Sequence, residues 1–397
     1  MTLVDVIRES GPVTVAAFMD LALYDPRFGY YARAARRSGR AGDFFTSVDV
    51  GALFGELLEI QLAEMDQLLR LRSGDSGIDL VEAGAGDGRL SADILRAAQS
   101  RHPELYDRLR VHLVEASPAA REAQRATLGG SVDRLRDSTD TLPASFEGVL
   151  VANELLDAMP VHQVVMRANG LREVYVGAEG ERLITSEGPP STPAFGDYLD
   201  RLGVNLEPGW RVEINLRAVD WVREAARRLL RGFIILIDYG HEARELYSVT
   251  HAAGTLATFT RHTMAGAETA GAEPPWLRRP GEQDITAHVD FTSIRTAAEH
   301  EGLTALGFLD QTYFVMGLLD AAARGPAGAP GDERGGGAGA RREWEGAAKP
   351  FDRLEHRLAL KTLLMPGGLG STLKVLILGK GVGAPALRGC SFRMRVT

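Results

Sequence analysis

A glycine-rich loop is the part of the sequence best suited to bind a ligand. Residues 80–88 read LVEAGAGDG, between a strand-like apolar stretch and a helix-like one. The glycines allow a sharp turn and a close approach of the backbone to a ligand. Their GxGxG spacing differs from the GxGxxG of dinucleotide sites and favours a nucleoside without a pyrophosphate. We interpret the loop as a site for S-adenosylmethionine (SAM); the alternative is a tight turn without a ligand. Its cofactor-binding residues would be Glu82, Gly84, Ala85, Gly86 and Gly88.

Acidic residues follow the next two predicted strands. Glu115 ends the stretch VHLVE, one helix after the glycine loop, and its carboxylate can accept both hydroxyls of a ribose. Asp137 follows a weaker strand over about residues 132–135 and would accept the adenine amino group, although a solvated aspartate is an equal alternative. Together with the glycine loop, these acids predict a nucleoside site.

The segment ANELLDAMP, residues 152–160, supplies the candidate catalytic carboxylates. It follows the apolar stretch GVLVA, so Asn153 and Glu154 would lie at the carboxyl edge of a sheet, with Asn153 against the cofactor. Asp157 comes three residues after Glu154 and reaches the same side if the segment is helical. The competing interpretation is helix capping by Asn153 and acids favoured in a first turn.

Two further candidates lie outside these motifs. Glu213 stands in the strand-like stretch RVEIN and is a weaker catalytic carboxylate, with a solvated charge as the alternative. His288 stands in PGEQDITAHVDF and is a candidate proton acceptor, with a structural histidine as the alternative. The single cysteine, Cys390, excludes an intramolecular disulfide and a cysteine-cluster metal site, and we predict no metal.

Composition and charge narrow the class of protein. The 397 residues are 45% hydrophobic and 25% charged, as in ordinary globular proteins. The net charge of −8 argues against sequence-independent nucleic-acid binding. Apolar runs are far shorter than the roughly 20 residues of a membrane helix. The N-terminus matches neither a signal peptide nor an Arg-rich transit peptide. We therefore expect a cytoplasmic protein without nucleic-acid partners or membrane insertion.

The elements that must position these residues alternate from residue 78 onward. Short apolar strands alternate with helices, which predicts a parallel sheet with right-handed crossovers. Long stretches between them predict insertions that form a lid or bind substrate. The predicted organisation is an N-terminal helical layer (1–72), the SAM-binding half of the core (73–160), an insertion (161–209), a core strand and helix (210–240), a second insertion (241–299), C-terminal edge strands and helices (300–383) with a disordered loop (324–350), and a tail (384–397).

The ordered set of motifs resembles the MidA-type SAM-dependent methyltransferases, also called the DUF185 family. The resemblance extends over nearly the whole chain and rests on LYDPRFGYY, GDFFTS, FGELL, LVEAGAGDG, ANELLDAMPVH, LIDYG, PGEQDITAHVDF and LKVLILGKG. The family pattern GDFxTSPE is changed here, because Val48 and Asp49 replace its Pro-Glu. Residues 324–350 and the tail after Gly383 are unlike the family.

The resemblance implies a class I SAM-dependent methyltransferase fold. This is a Rossmann-like α/β fold with a seven-stranded, mostly parallel sheet whose last strand is antiparallel, and Thr304–Phe308 and Leu373–Leu378 would be its edge strands. SAM would be the methyl donor, and Thr46, Ser47, Asp238 and Tyr239 would line the substrate pocket.

The resemblance also suggests an acceptor. The mitochondrial relative methylates an arginine on a complex I subunit, which implies an arginine-containing protein substrate here. Carboxylates such as Glu154, Asp157 and Glu213 suit a guanidinium, because they bind its planar cation bidentately. The alternatives are an O- or N-methyltransferase acting on a small molecule and a non-catalytic assembly factor with a SAM fold. The sequence does not predict the oligomeric state.

Overall fold

The computed structural model describes residues 2–32, 46–73, 77–260, 263–265, 274–324, 354–364 and 369–392. The strands of this part are, in chain order, β1 (Val13–Thr14), β2 (Ile78–Ala83), β3 (Leu109–Val114), β4 (Leu135–Thr139), β5 (Phe146–Asn153), β6 (His162–Arg167), β7 (Gly170–Glu179), β8 (Arg182–Gly188), β9 (Arg211–Ile214), β10 (Leu229–His241), β11 (Ala257–Thr260), β12 (Thr263–Ala265), β13 (Asp284–Thr286), β14 (Val289–Asp290), β15 (Thr304–Asp310) and β16 (Leu373–Lys380). The α-helices are α1 (Leu3–Ser10), α2 (Val15–Met19), α3 (Leu53–Ser73), α4 (Arg89–Arg101), α5 (Pro103–Arg108), α6 (Pro118–Leu128), α7 (Ala194–Leu202), α8 (Leu216–Arg228), α9 (Ala243–Leu246), α10 (Phe291–His300), α11 (Gln311–Arg324), α12 (Leu354–Leu364) and α13 (Leu369–Thr372).

The central sheet has the strand order β15-β16-β10-β5-β2-β3-β4, and β14 adds a short parallel pairing to β10. β16 is antiparallel to both of its neighbours, whereas β10, β5, β2, β3 and β4 are all parallel to one another. This confirms the predicted class I methyltransferase architecture, with Thr304–Asp310 and Leu373–Lys380 as the paired strands at one edge.

Both faces of the central sheet are covered. Every residue of β2 is buried, which is typical of a parallel strand between two helical layers. Leu80 and Val149 point into a core formed with α3, α4, α11 and α12. Val81 and Leu150 point into a second core formed with α7, α8 and α10. Because side chains alternate along a strand, one continuous apolar run fills both cores.

A second, antiparallel sheet has the strand order β1-β7-β6-β9, with β8 pairing β7. It contains the predicted insertion 161–209, but the predicted boundaries differ from it in two ways. β9 was placed in the core segment 210–240, yet it pairs with β6. The N-terminal layer 1–72 is divided, because β1 pairs with β7 while α3 packs on the central sheet. A strand's partner is set by tertiary packing, which local periodicity does not report.

The second insertion, 241–299, is also divided between two packing units. β12, β11 and β13 form a three-stranded antiparallel sheet, whose Ile285 packs in a third core with Ile7, Phe18 and Trp276. In contrast, α10 packs on the central sheet.

The C-terminal region is described only in part. Most of the predicted disordered loop, residues 325–350, lies outside the described residues, as do residues 393–397 of the tail. The described part of the tail bonds to α3, because Gly389 N donates to Gln61 Oε1 at 3.0 Å. Within the described ranges, no helix has the length and apolar character that crossing a lipid bilayer requires.

Candidate active site

A cavity of about 340 Å³ lies at the carboxyl ends of the central parallel strands. Open α/β sheets bind their ligands at this edge, and the volume is in the usual range for ligand sites. The central sheet, the N-terminal segment and the second insertion all contribute lining residues. The cavity brings together ten of the residues predicted from sequence: Thr46, Glu82, Gly84, Ala85, Gly86, Glu115, Asn153, Glu154, Asp157 and Tyr239.

The glycine loop turns sharply at the end of β2. The backbone N–H groups of Gly84 and Ala85 both donate to Val114 O, at 2.9 and 3.1 Å. Gly86 has φ of +52° and lines the cavity, and a Cβ built there would have no atom within 4 Å. Gly88 does not line the cavity; it is the N-cap of α4, with φ of +85°. The loop therefore leaves open space at Gly86, where a ligand can approach the backbone.

Glu82 lines the cavity, but its carboxylate is hydrogen-bonded within the protein. Its buried carboxylate accepts hydrogen bonds from both the backbone N and the Oγ of Ser91, near the start of α4. Burial raises the pKa of Glu82 to about 8, although the bonds from Ser91 oppose the shift. This carboxyl group joins β2 to α4 at the wall of the cavity.

Glu115 and Asn153 have polar atoms available for a nucleoside. Glu115 accepts from Gly86 N through Oε2 and from Ser117 N through Oε1, both at 2.8 Å. Two carboxylate oxygens offer about four acceptor positions, so capacity remains for ribose hydroxyls. The buried Oδ1 of Asn153 has no hydrogen-bond partner among the described residues. A buried polar atom without a partner is uncommon, and a bound ligand would satisfy it. These residues fit SAM.

Asp137 does not occupy the position predicted for it. Its carboxylate contacts His112 Nδ1 at 2.8 Å, and it does not line the cavity. A 3₁₀ helix over Gly129–Arg134 takes up the residues predicted as a strand, so β4 starts only at Leu135. The acid that follows β4 and lines the cavity is Asp140.

Three of the acidic residues that line the cavity are Glu154, Asp157 and Asp284. Burial raises the pKa of Glu154 to about 8, although hydrogen bonds from Ser47 N and Asn153 Nδ2 oppose the shift. Burial, followed by repulsion from Asp238, Asp284 and Glu154, raises the pKa of Asp157 well above its usual value. Burial and the neighbouring acids therefore both disfavour the ionised forms of Glu154 and Asp157.

Glu154 has an unusual backbone conformation. Its φ of +52° is the sole positive value among non-glycine residues in the described ranges. A left-handed non-glycine residue costs about 1–3 kcal/mol, and such strain concentrates at functional sites. The conformation turns the chain at the end of β5 while Glu154 N donates to Ile237 O at 2.8 Å. Residues 154–161 form turns and not a helix, so helix capping does not explain these acids.

Ser47 and Asp238 were predicted to line the pocket, but they support the residues that do. Ser47 Oγ donates to Gln311 Oε1 at 3.1 Å, while its backbone N donates to Glu154. Asp238 is 1% exposed, and its Oδ2 accepts from the backbone N of Leu155 and Leu156 at 3.1 and 2.7 Å. Burial raises the pKa of Asp238 to about 7. Both residues hold the turn that presents Glu154 and Asp157.

Several lining residues were not predicted as site residues, among them Tyr24, Tyr31 and Asp284. The two tyrosine rings stack with centroids 5.5 Å apart. Tyr31 OH donates to Asp284 Oδ1 at 2.8 Å, and Tyr24 OH donates to Ala158 O at 2.9 Å. The motifs LYDPRFGYY and PGEQDITAHVDF contained the signal, because aromatic and acidic side chains cluster there.

Glu213 and His288 were predicted to be catalytic, and the structure places both outside the cavity lining. The buried Glu213 carboxylate accepts from Gln163 Nε2 at 2.9 Å and from Thr255 N at 2.7 Å. It joins the second sheet to the second insertion. His288 packs against two other histidines, and burial lowers its pKa to about 4.

Comparison with known proteins agrees with this geometry. A family model for S-adenosyl-L-methionine-dependent methyltransferases matches residues 57–309, which is more than half of the chain. The chain belongs to this methyltransferase family. It is the MidA-type or DUF185 family that the sequence motifs resemble.

Two relatives carry a more specific name. The chain is 29% identical over 341 residues to "Protein arginine methyltransferase NDUFAF7, mitochondrial" of Danio rerio, covering 79% of this chain and 74% of the relative. The human protein of the same name is 30% identical over 341 residues, covering 79% and 71%. Both are named as mitochondrial proteins, which contradicts our expectation of a cytoplasmic protein.

A solved structure of a similar protein supports SAM as the cofactor. A Burkholderia thailandensis protein bound to S-adenosyl-homocysteine is similar over 98% of this chain and 94% of its own, with a TM-score of 0.80 and 29% identity. S-adenosyl-homocysteine is what SAM becomes when its methyl group is transferred. The chain is thus a SAM-dependent methyltransferase, and SAM is its cofactor.

Proposed function

We propose that this methyltransferase transfers the methyl group of SAM to an arginine side chain of a protein substrate. The observation that carries the proposal is the set of three carboxyl groups, Glu154, Asp157 and Asp284, in the cavity that contains the glycine loop. A guanidinium is a planar cation with five N–H donors, and carboxylates are its best partners. The names of the mitochondrial relatives support the same acceptor.

The electrostatics of the cavity favour a cationic acceptor over a neutral one. Burial raises the pKa of Glu154 to about 8 and that of Asp157 well above its usual range, so the empty pocket resists full ionisation. A guanidinium would lower both pKa values and would be held by charged partners. A hydroxyl acceptor carries no charge and would leave both pKa values raised.

This function gives separate roles to the glycine loop, the acidic residues and the two tyrosines of the cavity. SAM supplies an electrophilic methyl group. The loop Gly84–Gly86 and Glu115 hold the nucleoside, and Glu154 and Asp157 orient the guanidinium for an in-line approach. An ionised carboxyl group of this pair takes the proton that the attacking nitrogen loses. The stacked rings of Tyr24 and Tyr31 offer an aromatic wall for a planar cation.

The test is a methylation assay with labelled SAM on lysate from a strain that lacks this protein. We expect label in a protein, on an arginine identified by mass spectrometry of the digested band. Replacing that arginine with lysine should abolish labelling, because lysine lacks the planar fork. Label found only in small molecules would contradict the proposal, and so would label on another type of side chain.

A further inference from the structure

Three histidines converge beside the end of β10, outside the active-site cavity. His241 is the last residue of β10, His251 ends a 3₁₀ turn over Val249–His251, and His288 lies between β13 and β14. The ring centroids are 4.8 Å apart for His241 and His251, 5.3 Å for His241 and His288, and 5.9 Å for His251 and His288. One ring nitrogen from each residue lies within 4.8 Å of the others.

The hydrogen bonds of this cluster leave ring nitrogens free to bind an ion. His251 Nδ1 contacts Glu245 O at 3.1 Å, and donation to that carbonyl leaves the Nε2 lone pair available. His288 Nδ1 is buried and has no hydrogen-bond partner in the described part of the chain. Buried polar nitrogens are normally bonded, so this one indicates a missing partner.

We propose that His241, His251 and His288 bind a zinc ion. Neutral imidazole is a preferred ligand of Zn²⁺, and three histidines with an open fourth position form a known type of zinc site. A Zn–N bond of about 2.0–2.1 Å places tetrahedral ligand atoms about 3.4 Å apart. The ring nitrogens would therefore approach one another by up to about 1.4 Å on binding, through rotation of the side chains.

The surroundings supply charge for the ion. Glu245 Oε1 lies 3.0 Å from His241 Nδ1, so this carboxylate can orient the ring or take the fourth position. All three histidines are half-buried, which leaves a path for the ion. No metal was predicted from the sequence, because the three ligands stand on separate segments without a recognisable spacing.

The ion would fasten the segments that frame the active site. His241 follows Tyr239 by two residues, and His288 follows Thr286 by two residues; Tyr239 and Thr286 both line the cavity. Because none of the three histidines lines the cavity, we assign the ion a structural role. It would fix the second insertion against the end of β10, and no step of methyl transfer passes through it.

The test is calorimetric titration of the untagged, chelator-treated full chain with Zn²⁺. We expect one ion per chain and a rise in melting temperature on binding. His251→Gln and His288→Gln should each weaken Zn²⁺ binding by at least about tenfold, since each removes one of three ligands. The control is His300→Gln, an exposed position at the end of α10, which should bind Zn²⁺ like the parent chain.

A second measurement uses only the parent chain, so it does not depend on how well the variants fold. X-ray absorption of the zinc-loaded parent chain should show three imidazole nitrogens in the coordination sphere. Absence of Zn²⁺ binding by the parent chain would overturn the proposal, and the rings would then be a packing cluster of neutral imidazoles. Equal binding by the parent chain and a variant lacking all three histidines would overturn it as well.

Discussion

Asp157 is the residue at which the proposed arginine chemistry is most directly testable. Its carboxyl group is 6% exposed and lies in a turn rather than at a helix N-terminus. Asp157→Asn keeps the shape of the side chain but cannot supply the negative charge that binds a guanidinium strongly. We expect unchanged SAM affinity and a loss of at least about 100-fold in single-turnover methyl transfer, or roughly 3 kcal/mol.

The control for this variant is Asp197→Asn, an exposed position on α7, which should transfer methyl groups at the parent rate. Parent-like turnover by Asp157→Asn would remove the catalytic role. Loss of SAM affinity in Asp157→Asn would instead assign the residue to the cofactor.

The raised pKa of Glu154 predicts how pH affects substrate binding. Below its pKa of about 8 the carboxyl group is neutral, and binding a guanidinium requires it to lose its proton. The affinity for the arginine substrate should therefore rise by up to about tenfold per pH unit up to about pH 8 and then level off. KM measured from pH 6 to 9 tests this. Glu154→Gln should flatten the profile, and an unchanged slope in that variant would assign the titration to another group.

At Gly86, the stability cost of a left-handed backbone can be measured separately from the loss of SAM binding. Gly86→Ala adds a Cβ at a cavity-lining residue with φ of +52°, and Gly203→Ala adds one at φ of +63° away from the cavity; neither Cβ meets an atom within 4 Å. Both variants should lose about 1 kcal/mol of stability from the left-handed backbone. Only Gly86→Ala should weaken SAM binding in a calorimetric titration. Equal SAM affinity in both would show that the ligand does not approach Gly86.

At the scale of elements, Asp79 connects three central strands. It stands on β2, contacts Arg110 and His112 on β3, and accepts from Glu147 N on β5. Burial alone would raise its pKa, but hydrogen bonds from His112, Arg110 and Glu147 N lower it to about 2. Because the native pKa is below the usual 3.8, Asp79 stabilises the fold above about pH 4, and this contribution is lost as the pH falls towards 2.

Asp79→Asn should therefore lower the free energy of unfolding by about 2 kcal/mol at pH 7. The difference from the parent chain should shrink between about pH 4 and pH 2, where the parent side chain is itself protonated. Urea unfolding at several pH values measures it. Asp220→Asn, exposed on α8, is the control and should change little. A pH-independent difference would mean that packing and not charge is lost.

The strands with long apolar runs were predicted from the sequence. Strands whose sheet is decided by a partner distant in the chain were not placed correctly. β2, β3, β5 and β10 were all expected, because continuous apolar runs beside glycines and acids are typical of buried parallel strands. β9 was assigned to the wrong sheet, since its pairing with β6 depends on the path of an insertion.

The same distinction applies to the site. Acids directly after predicted strands, such as Glu115 and Glu154, do line the cavity. Asp284 and Tyr31 reach it from segments far apart in the chain, and their hydrogen bond depends on the path of the second insertion. Glu213, predicted to be catalytic, joins the second sheet to the second insertion, and a sequence does not distinguish such a carboxyl group from a catalytic one.

For the whole molecule, the cavity is where its separate cores meet. Tyr24, Tyr31 and Asp284 come from the segments that form the third core, and Glu115 follows the central sheet. S-adenosyl-homocysteine at about 100 times its Kd should stabilise the folded chain by about 2.7 kcal/mol. Calorimetry should show one unfolding transition that moves to higher temperature with the ligand. Two transitions, with only one of them moved, would show that the cores unfold independently.

At Glu154, the left-handed backbone lowers the stability of the fold, while the carboxyl group serves the proposed activity. Asparagine or glycine tolerates this backbone better, and either would also remove a carboxyl group that burial keeps from ionising freely. Glu154→Asn should therefore melt at a higher temperature than the parent chain while methylating poorly. A search for thermostable variants that scored melting alone would select against the proposed catalytic group. Natural sequences that retain glutamate here would do so at the expense of stability, a trade-off between folding and function.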